Sequence, residues 1–356
     1  QKLVWRVEQV EKGQFPNYML KEIYEQPGIV AEVAVSGGSR AEKLASMIRG
    51  AYGTYMVGCG TASYATIAGQ YLFSKIAHRH VNCAIGSEFG YHLDFLTKKS
   101  VVLAISQSGE TIDILESVKK AKMRGAKIAA LVNVLGSSLY RMADERVMIG
   151  AGPEKSVAST KAFTGMLAHL IFTAYALAGE PENGQKVLAK AAVILKELLS
   201  AGPVAGIRKL AQRFKTSEHM YVIGRGLSYP ASLETAIKIK EISYIHAEGL
   251  AAGELKHGPL ALVTKGTPVI AFLPNDETYG ANLAGAMEMK ARGAYIIGVS
   301  YKPHEVFDSY IHVGDAGEAT IIPNVVVGQL LAYHLTMARG LDVDKPRNLA
   351  KSVTVR

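Results

Sequence analysis

Short apolar runs that end in small polar residues recur along this chain, and the clearest example spans residues 101–111. Val101–Ile105 is apolar throughout and shows no helical period, which predicts a strand buried on both faces of a parallel sheet. Ser106–Thr111 is small and polar, and Ile112–Val118 then places apolar residues at helical spacing. In an open α/β sheet such a turn lies at the carboxyl ends of the strands, where ligands bind.

The side chains of this turn suit an anion. The hydroxyls of Ser106, Ser108 and Thr111, together with the free N–H groups at the helix start, can surround a negatively charged group. Gly109 allows the backbone to approach such a ligand closely. A simpler interpretation is that Ser106 or Ser108 only caps the helix, so the rest of the chain has to decide between the two.

Strands and helices alternate through the rest of the first half. Pro16 and Pro27 predict the two ends of a short helix near the N-terminus. Apolar stretches predict strands at Tyr52–Val57, around His80–Ile85 and at Lys127–Val132, with helices that run to Ala77, to Gly125 and from Ser156–Lys161 through Leu177. This alternation is typical of an α/β fold with a doubly wound parallel sheet.

The order of elements then repeats at an offset of 166 to 168 residues (from 58 to 224, and from 124 to 292). The matching segments are Tyr55–Gly60 with Tyr221–Gly226, Val102–Ile105 with Val269–Phe272, and Arg124–Ala126 with Arg292–Ala294. The sequence therefore predicts two tandem domains of similar topology. We expect an N-terminal arm and helix at 1–40, a first domain at 41–183, a linker helix and second domain at 184–345, and a tail at 346–356.

The two halves differ where a ligand would bind. Ser106–Gly109 corresponds to Leu273–Asp276, so only the first half keeps the anion-binding turn. The second half instead carries Glu234, Lys238 and Glu241 at i, i+4 and i+7 of a helix that begins near Pro230, and His257 in a loop with glycines and a proline. Taken alone, the three charged residues are typical of a solvated ion-pair face, and His257 of an ordinary loop histidine.

Composition excludes several classes of protein. The chain has 356 residues, 49% hydrophobic and 20% charged, which is typical of a two-domain globular protein. Its net charge of +9 is scattered, which favours attraction of anionic metabolites over binding of nucleic acid. Cys59 and Cys83 form no disulfide framework or metal motif, and no apolar run approaches a membrane span, so we expect a cytoplasmic protein without membrane partners.

Several motifs together resemble the isomerase half of the glucosamine-6-phosphate synthases, also called glutamine–fructose-6-phosphate aminotransferases. The motifs are Cys59–Thr61, Ser106–Thr111, Val157–Phe163, the stretch from Lys240 to Leu260, and Pro346–Val355. The resemblance covers essentially the whole chain, and the last two motifs are highly specific. That half consists of two sugar-isomerase (SIS) domains, in agreement with the internal duplication.

The resemblance implies roles for particular residues. Thr61, Ser106, Gln107, Ser108 and Thr111 would hold the phosphate of fructose 6-phosphate, and Val157 and Ser159 would line the sugar. Glu241 would be the base that transfers the proton, His257 would assist ring opening, Lys351 would form a Schiff base with the ketose, and Glu234 and Lys238 would support them. The family often has serine directly after the threonine, whereas Ala62 stands here and Ser63 follows, so one hydroxyl is displaced by a residue. We include Ser63 among the expected substrate ligands, as the residue that would replace the usual serine.

The expected reaction moves a proton between C1 and C2 and forms glucosamine 6-phosphate, which requires acid–base groups and a phosphate anchor but no metal or other cofactor. By the same resemblance His257 acts in the neighbouring subunit of a homodimer, and a complete synthase also has a glutamine-hydrolysing domain, which this chain lacks. Two alternatives stay open: a stand-alone SIS isomerase or deaminase, and a regulator that senses sugar phosphates without catalysis. Glu241, His257 and Lys351 argue against the regulator, because sensing requires only the phosphate site.

Overall fold

The computed structural model describes residues 11–354 and divides into two compact units. Of the described residues, one unit comprises 11–189 together with 350–354, and the other comprises 190–349. The part of the expected N-terminal arm that precedes residue 11 lies outside the described residues.

The first unit is built on a five-stranded parallel sheet in the order β2-β1-β3-β4-β5. Its strands are β1 (Gly53–Gly58), β2 (Asn82–Ile85), β3 (Ser100–Ser106), β4 (Lys127–Val132) and β5 (Glu145–Met148). All residues of the central strand β3 are buried, as its apolar run predicts. The carboxyl ends of β1, β3 and β4 therefore meet at the same edge of the sheet.

Helices connect these strands and cover both faces. They are α1 (Tyr18–Ser36), α2 (Gly38–Arg49), α3 (Thr61–Ala77), α4 (Gly86–Phe89), α5 (Ile112–Met123), α6 (Ser138–Met142) and α7 (Lys161–Ala178). Helix α7 packs against α1, α2 and α3, and α8 (Pro181–Leu198) leads from the first unit into the second. One apolar core lies between the sheet and α4, α5 and α6, with Val102, Ile128 and Val118 among its buried members.

The second unit repeats the arrangement, with a parallel sheet in the order β7-β6-β8-β9-β10. Its strands are β6 (His219–Gly224), β7 (His246–Ala251), β8 (Pro268–Leu273), β9 (Tyr295–Ser300) and β10 (Ser309–His312). Each strand takes the place that its counterpart holds in the first sheet. The predicted fold class and the predicted tandem duplication are both confirmed.

The helices of this unit are α9 (Ala201–Phe214), α10 (Ser228–Lys238), α11 (Tyr279–Lys290) and α12 (Ile321–Ala338). Helix α10 continues directly into one turn of π-helix, Ile239–Ser243, and two 3₁₀ turns, Glu254–His257 and Pro259–Leu262, follow β7. Helix α12 packs against α9 and α10 and is buried along most of its length.

One predicted boundary is wrong. Pro27 lies inside α1 and does not end it, since the Ile23 carbonyl, which loses its N–H partner to the proline ring, accepts a hydrogen bond from the Gln26 side chain (3.2 Å). Gly184 lies within α8, and Gly202-Pro203 lies in the first turn of α9, where a proline costs no hydrogen bond.

Two helices reach the length and apolarity of a membrane span, contrary to the expectation from sequence. Within residues 11–354 they are Lys161–Ala178 and Gly317–Ala338, and 89% and 83% of the 18-residue apolar window in each are buried within the protein. Lys161, His169 and Gln329 are among the buried residues. This burial inside the units is typical of the central helices of α/β domains.

Candidate functional site

The turn after β3 carries its hydroxyl groups at the start of α5, as the sequence predicts. The Ser106 hydroxyl oxygen lies 3.3 Å from that of Thr111 and accepts a hydrogen bond from the Gly109 N–H (3.0 Å). The Ser108 hydroxyl accepts one from the Glu110 N–H (3.2 Å). Gln107 is half-buried, and its carbonyl accepts the Asn133 N–H, which ties the turn to the end of β4. The result is a group of hydroxyls in the turn before a helix N-terminus, a location that favours phosphate binding.

Gly109 is required by the shape of this turn. Its φ of +68° is a conformation that other residues rarely adopt, and an added Cβ would lie 2.2 Å from the Ser137 hydroxyl. Its carbonyl also accepts the Leu139 N–H of α6. Any side chain at position 109 would therefore displace the turn from α6.

The turn after β1 carries two of the expected phosphate-binding hydroxyls, those of Thr61 and Ser63. Thr61 begins α3 and is half-buried at the same edge of the sheet. Ser63 is 6% exposed, and its hydroxyl donates to the Gly60 carbonyl (2.7 Å). Its proton is therefore already used within the helix start, and Thr61 is the better candidate for a phosphate ligand.

The loop before α7 is organised around the carboxylate of Glu154. Its Oε1 accepts the N–H groups of Thr160 (2.9 Å) and Ala162 (3.1 Å), and its Oε2 accepts the Ser159 hydroxyl (3.2 Å). A carboxylate at a helix N-terminus satisfies N–H groups that have no partner inside the helix. Glu154 thereby holds the loop that presents Val157 and Ser159, both half-buried.

The C-terminal tail binds to the same loop through Lys351. Its ammonium donates to Glu154 Oε2 (2.8 Å) and to the Ser156 carbonyl (2.7 Å). The Val353 carbonyl accepts the Ile112 N–H in the first turn of α5 (3.2 Å). The structure therefore brings Lys351, the loop of Ser159 and the Ser106–Thr111 turn together within the first unit.

The second unit contains the other predicted acid–base group. Lys238 is 1% exposed, with its Nζ 2.6 Å from Glu241 Oε2 and 3.6 Å from Glu234 Oε1. The interpretation as a solvated ion-pair face is wrong, because Glu234 is fully buried and only Glu241 is partly exposed. Glu241 lies in the π-helical turn after α10, and such turns often occur at functional sites.

His257 ends the 3₁₀ turn that follows β7 and is exposed. Gly258, with φ of +137°, follows it and separates this turn from the next 3₁₀ turn. Among the residues from 11 to 354 no hydrogen bond or ion pair of the His257 side chain is found.

The turn of the second unit that corresponds to Ser106–Thr111 binds its own carboxylate. Asp276 Oδ1 accepts both the N–H (2.8 Å) and the hydroxyl (2.6 Å) of Thr278, directly before α11. Asn275 donates to Asp315 Oδ2 (3.1 Å). The negative charges of Asp276 and Asp315 repel a phosphate. The two turns therefore differ in charge as well as in the residue types compared in the sequence.

Two residues of the first site were missed in the sequence, Glu154 and Glu22. Glu22 of α1 is 2% exposed, and its Oε1 accepts the N–H groups of Lys155 and Ser156. The available signal was weak: Glu154 is one acid among small residues before α7, and Glu22 is one of several acids on its helix.

The sequence matches the SIS domain family over residues 47–176 and 213–338, which correspond to the two sheets and their helices. The chain belongs to the SIS domain family. It is 42% identical over 361 residues to a glutamine–fructose-6-phosphate aminotransferase (isomerizing) of Thermococcus kodakarensis, and 40% identical over 357 residues to that of Pyrococcus horikoshii. Both alignments cover 99% of this chain, which spans about 60% of the length of these curated relatives.

Among solved structures, the C-terminal domain of glucosamine-fructose-6-phosphate aminotransferase from Francisella tularensis is similar over its full length. That chain is 35% identical, covers 94% of this one and superimposes with a TM-score of 0.82. A glucosamine-6-phosphate deaminase from Thermotoga maritima shares the fold at 22% identity, with a TM-score of 0.79. The expected family is thus confirmed.

Proposed function

We propose that this SIS chain is the isomerase part of a glutamine–fructose-6-phosphate aminotransferase. It binds fructose 6-phosphate and converts the ketose, as its imine, into the aldose glucosamine 6-phosphate by moving a proton between C1 and C2. The proposal agrees with the activity after which the relatives that align along 99% of this chain are named.

The observation that carries the proposal is the group of hydroxyls at Ser106–Thr111, which lies in the same unit as the tail residue Lys351. A phosphate bound by Thr61, Ser106, Gln107, Ser108 and Thr111 anchors one end of the sugar. Val157 and Ser159 then contact the sugar, and Lys351 is available near its carbonyl. Anchoring a remote phosphate supports catalysis because it orients the reacting carbons.

The chemistry follows from the residue types. The free amine of Lys351 attacks C2 of the open-chain ketose, the C=N bond forms and the carbonyl oxygen leaves as water. Ammonia then attacks the same carbon and the C2–N bond to Lys351 breaks, so that the lysine leaves as the free amine and the sugar carries a C2 imine of ammonia. Glu241 takes a proton from C1 and returns it to C2, while Lys238 and Glu234 hold its carboxylate in place. His257 assists ring opening by proton transfer at the ring oxygen.

The proposed assembly is a homodimer in which His257 completes the site of the neighbouring subunit. Its exposure at the end of a 3₁₀ turn, before Gly258, supports such a role. A glutamine-hydrolysing domain in the full-length protein is the proposed source of ammonia.

The proton-transfer step can be tested in D₂O without ammonia. With fructose 6-phosphate bound, we expect deuterium to enter the sugar at C1, measured by NMR. Glu241→Gln should slow this exchange by about 10²- to 10⁴-fold, the usual contribution of a general base, and leave the affinity for fructose 6-phosphate unchanged in calorimetry. Equal exchange in both proteins would reject Glu241 as the base, and an absence of binding would reject the proposed substrate.

Mixing two inactive chains tests the dimer. Glu241→Gln and His257→Ala chains should regain part of the exchange activity once subunits have exchanged, because half of the hetero-dimer sites are intact. No recovery after confirmed subunit exchange would place both residues in the site of one chain.

A further inference from the structure

Beneath the loop that carries Val157 and Ser159, two acids from distant parts of the chain lie side by side. Glu154 is fully buried at its carboxyl group, and Glu22 of α1 is 2% exposed. Helix α1 precedes the part of the chain that matches the SIS family. A second carboxyl group next to a buried one is costly, which makes the pair worth explaining.

Each acid holds a different part of the lysine's environment. Glu154 contacts the Lys351 ammonium directly (2.8 Å). Glu22 accepts the N–H groups of Lys155 and Ser156, and the carbonyl of Ser156 is the second acceptor of the ammonium (2.7 Å). The Oε2 atom of Glu22 is buried and has no hydrogen-bond partner among the residues that the structure describes.

We propose that Glu22 and Glu154 form a carboxyl pair that positions Lys351 and controls how readily its ammonium releases a proton. Glu154 holds the ammonium of Lys351 as its ion-pair partner. Glu22 holds the backbone of Lys155 and Ser156 in place, and with it the Ser156 carbonyl that accepts a hydrogen bond from the ammonium. The inference rests on the proposed function in so far as Lys351 reacts with the ketose, and it makes both acids positioning residues.

The charges around the pair support different protonation states for the two acids. Burial, and next the neighbouring Glu154, raise the pKa of Glu22 to about 8. Burial acts against ionisation of Glu154, but the contact with Lys351 and the hydrogen bonds from the loop outweigh it and lower the pKa of Glu154. Of the other charges that face Glu22, Lys161 is paired with Glu25 (2.6 Å).

The consequence is a dependence on pH. At neutral pH Glu22 is protonated, and one carboxylate, Glu154, faces Lys351. As the pH rises through about 8, Glu22 ionises and adds a second negative charge, which favours the ammonium form of Lys351 over the reactive amine. The variant Glu22→Gln keeps an acceptor for the N–H groups of Lys155 and Ser156 but cannot ionise.

The free amine of Lys351 can be measured without any sugar. The protein is labelled with trace acetic anhydride between pH 6.5 and 9.5, and acetylation of Lys351 is compared by peptide mass spectrometry with that of exposed Lys119 in the same sample. Glu154→Gln should increase labelling of Lys351 at pH 7 by roughly tenfold, since an opposite charge in contact stabilises the charged form. In Glu22→Gln the acetylation of Lys351 should equal that of the wild type at pH 6.5 and exceed it several-fold at pH 9.

Glu32→Gln is the matched control, because Glu32 is an exposed acid on the same helix. It should follow the wild-type profile at every pH. Superimposable profiles for wild type, Glu22→Gln and Glu154→Gln would overturn the proposal and leave the pair a purely structural feature. If Glu154→Gln does not fold, as judged by circular dichroism, the pH profile of Lys351 acetylation in Glu22→Gln decides whether the proposal holds.

Borohydride reduction in the presence of fructose 6-phosphate separates this inference from the proposed function. A reduced sugar adduct on Lys351, absent in Lys351→Ala, supports the imine. Normal pH-dependent labelling without an adduct would reject the imine but keep the carboxyl pair. An adduct together with labelling profiles that are the same in wild type and variants would support the imine and reject the carboxyl pair.

Discussion

The turns after β3 and β8 occupy the same place in two copies of one sheet, yet they have opposite electrostatics. At Ser106–Thr111 the turn presents uncharged hydroxyls and a glycine before the helix start. At the corresponding turn the carboxylate of Asp276 already binds the N–H of Thr278. A duplicated α/β domain can thus keep its fold while the charge at the same turn changes from one copy to the other.

The two copies also differ in the chemistry that surrounds the turn. The first unit adds Lys351 and the acids that hold it, whereas the second unit carries the Glu234, Lys238 and Glu241 group on a different helix. Under the proposed function the first copy binds the phosphate and the second supplies proton transfer, and each half of this comparison can be tested separately.

The largest expected effect concerns phosphate binding in the first unit. Ser106→Ala with Ser108→Ala should weaken binding of fructose 6-phosphate by roughly 2–4 kcal/mol, at about 1–2 kcal/mol for each hydrogen bond to a charged group. The matched pair in the second unit, Asn275→Ala with Thr278→Ala, should leave the affinity unchanged. Calorimetry on both double variants measures this difference, and equal losses would show that the two turns are not functionally distinct.

A smaller effect concerns the buried carboxyl pair of the first unit. Because the pKa of Glu22 in the folded protein is about 8, well above 4.5, its contribution to stability is present at low pH and is lost as the pH rises to about 8. Between pH 6 and 7 the free energy of unfolding of the wild type should therefore fall, relative to Glu22→Gln, by at most about 1.4 kcal/mol. Urea unfolding at a series of pH values measures this; a constant difference between the two proteins would mean that Glu22 does not titrate there.

The smallest effect concerns the internal carboxylate of the second turn. Asp276→Ala removes the acceptor of the Thr278 N–H and should destabilise the start of α11 by about 1 kcal/mol, as for other lost helix caps. Hydrogen exchange at the amide of Thr278 should accelerate roughly fivefold, without a change in affinity for fructose 6-phosphate. Unchanged exchange would indicate that Asp276 does not protect this helix start.

The sequence by itself determined the fold class and the location of the first turn. Apolar runs such as Val101–Ile105 cannot be hydrated on either face, so they predict central strands of a parallel sheet, and the strand β3 confirms this. The internal repeat requires two similar sheets, and the structure has them in the same strand order. The contrast between Ser106–Gly109 and Leu273–Asp276 was also visible from residue types alone.

Only the tertiary structure decided how distant charges meet. Glu22, Glu154 and Lys351 are separated by more than a hundred residues along the chain, and no local pattern relates them. Likewise, the spacing of Glu234, Lys238 and Glu241 fits a solvated helix face, and their burial depends on the packing of α10 and the π-helical turn against α12. Periodicity along a sequence reports which face of one element is apolar, whereas burial and pairing of charges depend on which other elements cover that face.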